Sequence, residues 1–273
     1  MSSDSITFIG GGNMARSLVA GLIRQGVAPG QIHVAEPVAE LRSQLTAEFG
    51  VKTYASAIEA AAQGTVWVLA VKPQVLRDVC AALADGARTK APLVVSIAAG
   101  ITSAQLVRWL GGQAAVVRAM PNTPALLGAG VTGLFATAAV SDAQRAQADQ
   151  VLSSAGRTVW IDDETRMDAV TAVSGSGPAY VFLLAEAMEA AGIAQGLPAD
   201  AARTLVVQTL LGASRMLDES GEAPAELRRR VTSPNGTTQA AIESFQGEDF
   251  EAIVGRAIDA ATRRGKALSA AND

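Results

Sequence analysis

Apolar positions fall into two regimes along this chain. Up to about residue 160, short apolar runs alternate with longer segments whose apolar residues recur at helical spacing. The runs at 6–9, 32–35, 65–71, 93–97, 115–119, 131–136 and 158–161 predict strands. The central runs are continuously apolar, as a sheet covered on both faces requires. Helical stretches are expected at 14–25, 39–49, 74–83, 103–110 and 141–154. This alternation predicts an α/β architecture with a doubly wound sheet. From Asp163 the strand signals vanish and alanine-rich helical segments take over. They are punctuated at 174–178, 196–198, 221–224 and 233–236, with Pro178 and Pro198 where a first helical turn accepts proline. The runs 180–184 and 205–211 are apolar around most of the helix, more than one domain face needs. Two outcomes fit: an all-α domain that dimerises through those faces, or two helices at the centre of a larger monomeric core. The expected division is 1–161 and 162–273.

The first strand ends in a glycine-rich turn. Ile6-Thr7-Phe8-Ile9 runs into Gly10-Gly11-Gly12-Asn13-Met14-Ala15, and the spacing Gly10-x-Gly12-x-x-Ala15 matches the dinucleotide fingerprint with alanine third. Gly10 permits the tight turn, Gly12 lets backbone N–H groups approach a pyrophosphate, and Ala15 lets the helix pack closely on the strand. The helix N-terminus then offers unpaired N–H groups and partial positive charge to the phosphates. Glycine-rich turns are common, so the strand before and the helix and second strand after carry the weight.

Composition narrows the classes. The chain has 273 residues, 49% hydrophobic and only 18% charged, with aromatics at 4%. Its mean hydropathy of +0.25 is high for a soluble monomer and hints at subunit burial. A net charge of −4 leaves no basic footprint for nucleic acid. The single cysteine, Cys80, excludes an internal disulfide framework and a cysteine metal cluster, and its helical stretch suits a small core residue. The start lacks a basic n-region, and the apolar helix candidate at 179–194 carries Glu186 and Glu189 and is too short to span a bilayer. The expected location is cytoplasmic.

Ligands of an open parallel sheet lie beyond the carboxyl ends of its strands. The segments that follow the strands are the glycine turn, Glu36, Lys72-Pro73, Ala98-Ala99-Gly100 and Met120-Pro121-Asn122-Thr123-Pro124. They are poor in charge, as a water-excluding nicotinamide pocket would be. Glu36 lies 24 residues after Gly12, where an acid accepts adenosine ribose hydroxyls. A 2′-phosphate there would meet like charge, at up to roughly 4 kcal/mol in contact. Alternatively Glu36 caps the helix that begins near Pro37.

The only histidine, His33, falls inside the second strand, and none of the four lysines (Lys52, Lys72, Lys90, Lys266) lies in the helices after the Gly175 and Gly236 loops. Reduction of a carbonyl to an alkoxide needs a positioned proton donor, whereas hydride added to a protonated imine gives a neutral amine. The inventory therefore favours a C=N over a C=O substrate, although Tyr180, Asp168 or Thr238 remain available to move a proton. Two loops combine glycine with several hydroxyls: 173–178 and 231–238. Each is either a carboxylate seat at a helix start or a plain N-cap. The run Arg228-Arg229-Arg230 fits a solvated helix face.

Several stretches together resemble the pyrroline-5-carboxylate reductases. They are Phe8-Ile9-Gly10-Gly11-Gly12-Asn13-Met14, Ala70-Val71-Lys72-Pro73, Val95-Ser96-Ile97-Ala98-Ala99-Gly100 and Arg118-Ala119-Met120-Pro121-Asn122-Thr123-Pro124. Two more follow: Ala172-Val173-Ser174-Gly175-Ser176-Gly177-Pro178-Ala179-Tyr180 and Thr232-Ser233-Pro234-Asn235-Gly236-Thr237-Thr238. The resemblance covers nearly the whole length.

It implies reduction of L-1-pyrroline-5-carboxylate to L-proline with NADPH or NADH. It also implies a Rossmann-type domain followed by an all-α dimerisation domain, a homodimer, and often a larger ring of dimers. By the resemblance Gly10, Gly11, Gly12, Asn13, Met14, Glu36, Ala70, Val71, Lys72, Pro73, Ala98, Ala99, Gly100 and Asn122 hold the coenzyme. Ser176, Ser233, Gly236, Thr237 and Thr238 hold the substrate, with the Thr238 hydroxyl facing the ring nitrogen as the catalytic group. Many members carry Ser, Thr or Asn near position 36, which suits NADPH; the acid here departs from that pattern. The rivals are another imine or ketone reductase of the same plan and a non-enzymatic dinucleotide-sensing dimer.

Overall fold

The computed structural model describes residues 5–272. The sheet-bearing half runs β1 (Ile6–Ile9), α1 (Asn13–Arg24), β2 (Ile32–Ala35), α2 (Ala39–Phe49), β3 (Lys52–Tyr54), α3 (Ala57–Ala61) and β4 (Val66–Leu69). It continues with α4 (Pro73–Lys90), β5 (Leu93–Ser96), α5 (Ser103–Trp109), β6 (Ala115–Met120), β7 (Gly130–Ala136), α6 (Asp142–Ser153), β8 (Gly156–Trp160) and the short α7 (Met167–Val170). Five helices follow: α8 (Gly177–Ala194), α9 (Ala199–Glu219), α10 (Pro224–Arg230), α11 (Thr237–Gly247) and α12 (Phe250–Ala271).

The eight strands form one sheet in the order β3-β2-β1-β4-β5-β6-β7-β8. Strands β1 to β6 are parallel, β7 runs antiparallel to β6, and β8 is parallel to β7. The α/β doubly wound expectation holds, with a reversed pair at one edge that the apolar pattern does not reveal. Alternation within each strand feeds two separate cores. Phe8, Val34, Val68 and Val95 face α1, α2 and α6 through Leu18, Leu22, Leu45 and Leu152. Ile9, Ala35, Leu69 and Val94 face α3, α4 and α5 through Ala60, Leu76, Leu83 and Leu106. Both faces are therefore dry, which is why these strands read as unbroken apolar runs. Cys80 sits in the second core, where burial pushes its thiol up to about 12 and leaves no thiolate for nucleophilic work.

Several elements differ from the pattern-based expectation, the five-residue α3 among them. Strand β3 has only three residues and pairs with β2 alone, too short to carry a periodic signal. Helix α4 runs on to Lys90 rather than stopping at residue 83. Gly86 lies inside it, with the Trp67 ring packed 3.3 Å from the position an ideal Cβ would take.

Contacts divide the chain into two compact units. One comprises the described residues to Ser176 with those from Ala260 onward; the other is Gly177–Asp259. Residues 162–176 and 260–272, expected with the helical domain, thus pack with the sheet. In the second unit α8 packs on α9, with Ala202 and Val206 buried. Phe182 and Leu183 are 67% and 66% exposed, and Leu205, Val207 and Leu211 are exposed as well. That exposure removes the reading in which 180–184 and 205–211 form a monomer's centre. Among the described residues no helix is long and apolar enough to cross a membrane.

Gly21 sets the distance between α1 and the chain end of α6. A Cβ there would lie 2.1 Å from the Ser154 carbonyl oxygen, and the Ser154 hydroxyl donates to Leu18 O at 3.2 Å. Helix propensity alone would make alanine better than glycine by about 1 kcal/mol. The backbone clash reverses that sign, so Gly21→Ala should lower stability by about 2 kcal/mol. An unchanged or raised urea midpoint would contradict this packing.

Candidate active site

The glycine turn is built by close approach. Gly10 has φ +107°, and a Cβ on it would lie 2.8 Å from Ala70 O. Its N–H donates to Ala35 O at 2.9 Å, while Ala70 N–H donates to Ile9 O at 2.8 Å. The turn, the end of β2 and the 70–73 segment are thereby tied together. Gly12 is the N-cap of α1, no side chain caps that terminus, and nothing lies within 4 Å of an ideal Cβ there. Gly12 and Asn13 are exposed and Met14 half-buried. This is an open cradle at a helix start, the arrangement a pyrophosphate fits. Lys72 is exposed as N-cap of α4, with Pro73 and Val71 half-buried beside it.

Glu36 serves neither of its two expected roles alone. Its Oε1 accepts the Val38 N–H at 3.0 Å, capping the approach to α2, and its Oε2 accepts the Gly11 N–H at 3.2 Å. It thus braces the glycine turn as well as the next helix.

Ala98 and Gly100 are buried and Ala99 exposed. Gly100 has φ +70°, and the end of α12 fastens its loop: Asn272 Nδ2 donates to Gly100 O at 3.2 Å and Gln105 Nε2 to Ser269 O at 3.1 Å. Asn122 is buried, donating from Nδ2 to Ser174 O at 3.2 Å and accepting the Val131 N–H at 3.0 Å.

The first hydroxyl loop is not a helix start. Residues Thr171–Gly175 form a π-helical turn that continues α7 and leads into α8. Ser176 N–H donates to Thr171 O at 2.8 Å, and the Ser174 hydroxyl donates to Val170 O at 2.9 Å. The expected N-terminal amides are therefore used within the helix, and Ser176 is half-buried. Gly175 packs against Met120, whose terminal methyl would be 2.6 Å from a Cβ and would have to move aside for one. Insertions of this π type are frequent at functional sites.

The second loop does open a helix. Asn235 takes the left-handed conformation (φ 58°), its N–H donates to Gln239 Oε1 at 2.8 Å, and Gly236 N–H donates to Ser233 O at 3.1 Å. Gly236 is the N-cap of α11 with no side-chain cap, and Ser233, Thr237 and Thr238 are exposed. The basic run is a solvated face, with Arg229 paired to Glu226 and Arg230 to Glu222. His33 is a buried strand residue 3.0 Å from the Tyr54 hydroxyl; burial first, then Lys52, hold its pKa below the usual value.

Pattern reading missed one charged cluster in the first unit. Arg118 on β6 is buried, 3.3 Å from Glu164 and 3.8 Å from Asp168. Glu164 also accepts the Ser103 N–H at 2.6 Å and the Ser103 hydroxyl at 2.5 Å. The group borders a cavity of about 390 Å³ shared with Thr102 and Lys266. An arginine inside an apolar strand run was the available signal, since a buried charge requires partners.

A glycine turn opening at a helix N-terminus, in a sheet wound on both faces, marks the first unit as that of a nicotinamide-dependent oxidoreductase. Comparison with known proteins agrees. A family model described as "Pyrroline-5-carboxylate reductase dimerisation" matches residues 164–268, and one described as "NADP oxidoreductase coenzyme F420-dependent" matches residues 5–100. The chain is 54% identical to a pyrroline-5-carboxylate reductase of Pseudomonas aeruginosa and 42% identical to that of Haemophilus influenzae, over 98% of both partners in each case. A solved pyrroline-5-carboxylate reductase of Coxiella burnetii is 40% identical with a TM-score of 0.95, covering 98% of this chain and 99% of that one. A Plasmodium falciparum pyrroline carboxylate reductase, solved with NADP bound, is 27% identical with a TM-score of 0.86, covering 98% and 99%. The chain belongs to the pyrroline-5-carboxylate reductase family.

Replacing Arg118 by methionine would leave two carboxylates facing a space from which their cation has gone. Arg118→Met should lower unfolding free energy by about 3 kcal/mol. A denaturant midpoint equal to that of the unaltered protein would show that the cluster does not hold α7 and β6 together.

Proposed function

We propose that this chain reduces L-1-pyrroline-5-carboxylate to L-proline with NADPH or NADH, the last step of proline biosynthesis. The observation that carries the reading is the full-length likeness to reductases of that name, joined to an open, uncapped α1 at the glycine turn.

A bound reduced nicotinamide supplies the hydride. The Gly10, Gly11 and Gly12 backbone, with Asn13 and Met14, takes the pyrophosphate against the positive end of α1. Glu36 faces the adenosine ribose. Ala70, Val71, Lys72 and Pro73, with Ala98, Ala99, Gly100 and Asn122, line the nicotinamide half. Asn122 does so by shaping the backbone, since its amide is engaged by Ser174 and Val131.

Ser233, Gly236, Thr237 and Thr238 hold the substrate carboxylate, the uncapped α11 N-terminus neutralising its charge, and Ser176 lines the same pocket. The Thr238 hydroxyl faces the ring nitrogen. No side chain needs to form a covalent bond with the substrate: hydride meets a protonated imine, and orientation together with exclusion of water lowers the barrier.

The dinucleotide-binding role belongs to 1–161 and the substrate and dimerisation role to 162–273. Two copies pair through the exposed apolar faces of α8 and α9, and dimers assemble further into a ring. The enzyme works in the cytoplasm.

The test is a coupled assay of purified protein with pyrroline-5-carboxylate and either reduced coenzyme, set beside 2-oxo acids. Coenzyme oxidation with equimolar proline is expected; oxidation only with the oxo acids, or none, would contradict the reading. In the same assay Thr238→Ala should lower turnover about tenfold or more while leaving coenzyme affinity in place. Unaltered turnover would remove Thr238 from the mechanism.

A further inference from the structure

The carboxylate at the end of β2 is fastened across the crevice between the first two strands. Both its oxygens accept backbone N–H groups, one from Gly11 and one from Val38. Glu36 is only 8% exposed, and its own N–H donates to Tyr54 O at 2.9 Å. A Cβ on Gly11 would lie 3.2 Å from Glu36 Oε2 and 2.7 Å from Leu45 Cδ1, so turn, acid and α2 touch one another.

We propose that this pinned Glu36 makes the chain select NADH over NADPH. The proposal rests on the reading of the first unit as a coenzyme site. In a fold of this kind the residue at this point meets the adenosine ribose. A 2′-hydroxyl can donate to a lone pair left over on either carboxylate oxygen. A 2′-phosphate brings negative charge to the same oxygens at contact distance. Swinging Glu36 aside would break both N–H bonds and strand the N–H of the buried Gly11. Arg42, one turn into α2, is turned toward the backbone: its Nη1 donates to Glu36 O at 2.8 Å and Pro37 O at 2.9 Å, so that nitrogen is committed to the β2–α2 turn.

The experiment is equilibrium titration of the purified protein with NADH and with NADPH, followed by coenzyme fluorescence. The unaltered protein, Glu36→Gln and Glu36→Ser are compared, with thermal unfolding run on each. NADH should bind the unaltered protein about tenfold or more tightly than NADPH. In folded Glu36→Gln and Glu36→Ser that ratio should fall by about tenfold or more, mainly through a gain in NADPH affinity. Two variants are used because glutamine keeps the shape of the brace while serine clears space for a phosphate. Equal binding of both coenzymes by the unaltered protein, tighter binding of NADPH, or a ratio that neither variant moves would overturn the proposal while leaving the coenzyme site intact. Binding of neither coenzyme would overturn the site itself.

Discussion

The backbone of Gly10 passes so close to Ala70 that no side chain fits between them, and most of the candidate chemistry depends on that contact. With φ at +107°, the turn leaves β1 sharply and lets α1 start at once, its N-terminus uncapped at the carboxyl edge of the sheet. The same turn is held from the β2 side by Ala35 O and from the acid by Glu36 Oε2. A bulkier residue at position 10 would separate β1 from β4 at the point where both deliver their loops. The anion seat is therefore a consequence of sheet packing rather than a separate feature laid over it.

Around that turn, the structure uses secondary contacts to fix segments that have few apolar anchors. The 98–100 loop is fastened by the last turn of α12, from a distant part of the sequence. The Ser174 carbonyl in the π turn is taken by Asn122. Arg118 gathers Glu164 and Asp168, and Glu164 in turn holds the start of α5 through Ser103. Polar side chains in the first unit are thus largely committed to bracing loops. The helix starts at Gly12 and Gly236 differ, with no side-chain cap at either.

Much of this was readable from residue order, and the exceptions have physical causes. Buried parallel strands announce themselves as apolar runs, so five of the seven expected strands fall within one residue of their observed ends, 65–71 contains β4, and β8 starts two residues before the expected 158. Direction is not encoded in such a run, which is why the reversal at β7 was invisible. Strand β3 was too short to show a period. The hydroxyls at 174 and 176 read as a carboxylate seat or an N-cap because they stand before a helix; here the helix passes through as a π turn, and only the backbone reveals it. Glu36 presented two options in sequence, a ribose contact or a helix cap; its oxygens take the Val38 and Gly11 N–H groups, and the brace on the glycine turn was neither of them. The Arg118 cluster joins residues 46 and 50 positions apart, a pairing no local pattern reports.

The central claim is that the turn after β1 seats the dinucleotide pyrophosphate, and Gly12 allows a direct measurement. Its φ of −69° suits any residue, and no protein atom lies within 4 Å of the position a Cβ would take. A valine there would leave the fold alone and fill the space meant for phosphate. Titration of folded Gly12→Val with reduced coenzyme should show affinity reduced about a hundredfold at unchanged thermal stability. Affinity equal to that of the unaltered protein would place the coenzyme elsewhere and contradict the account.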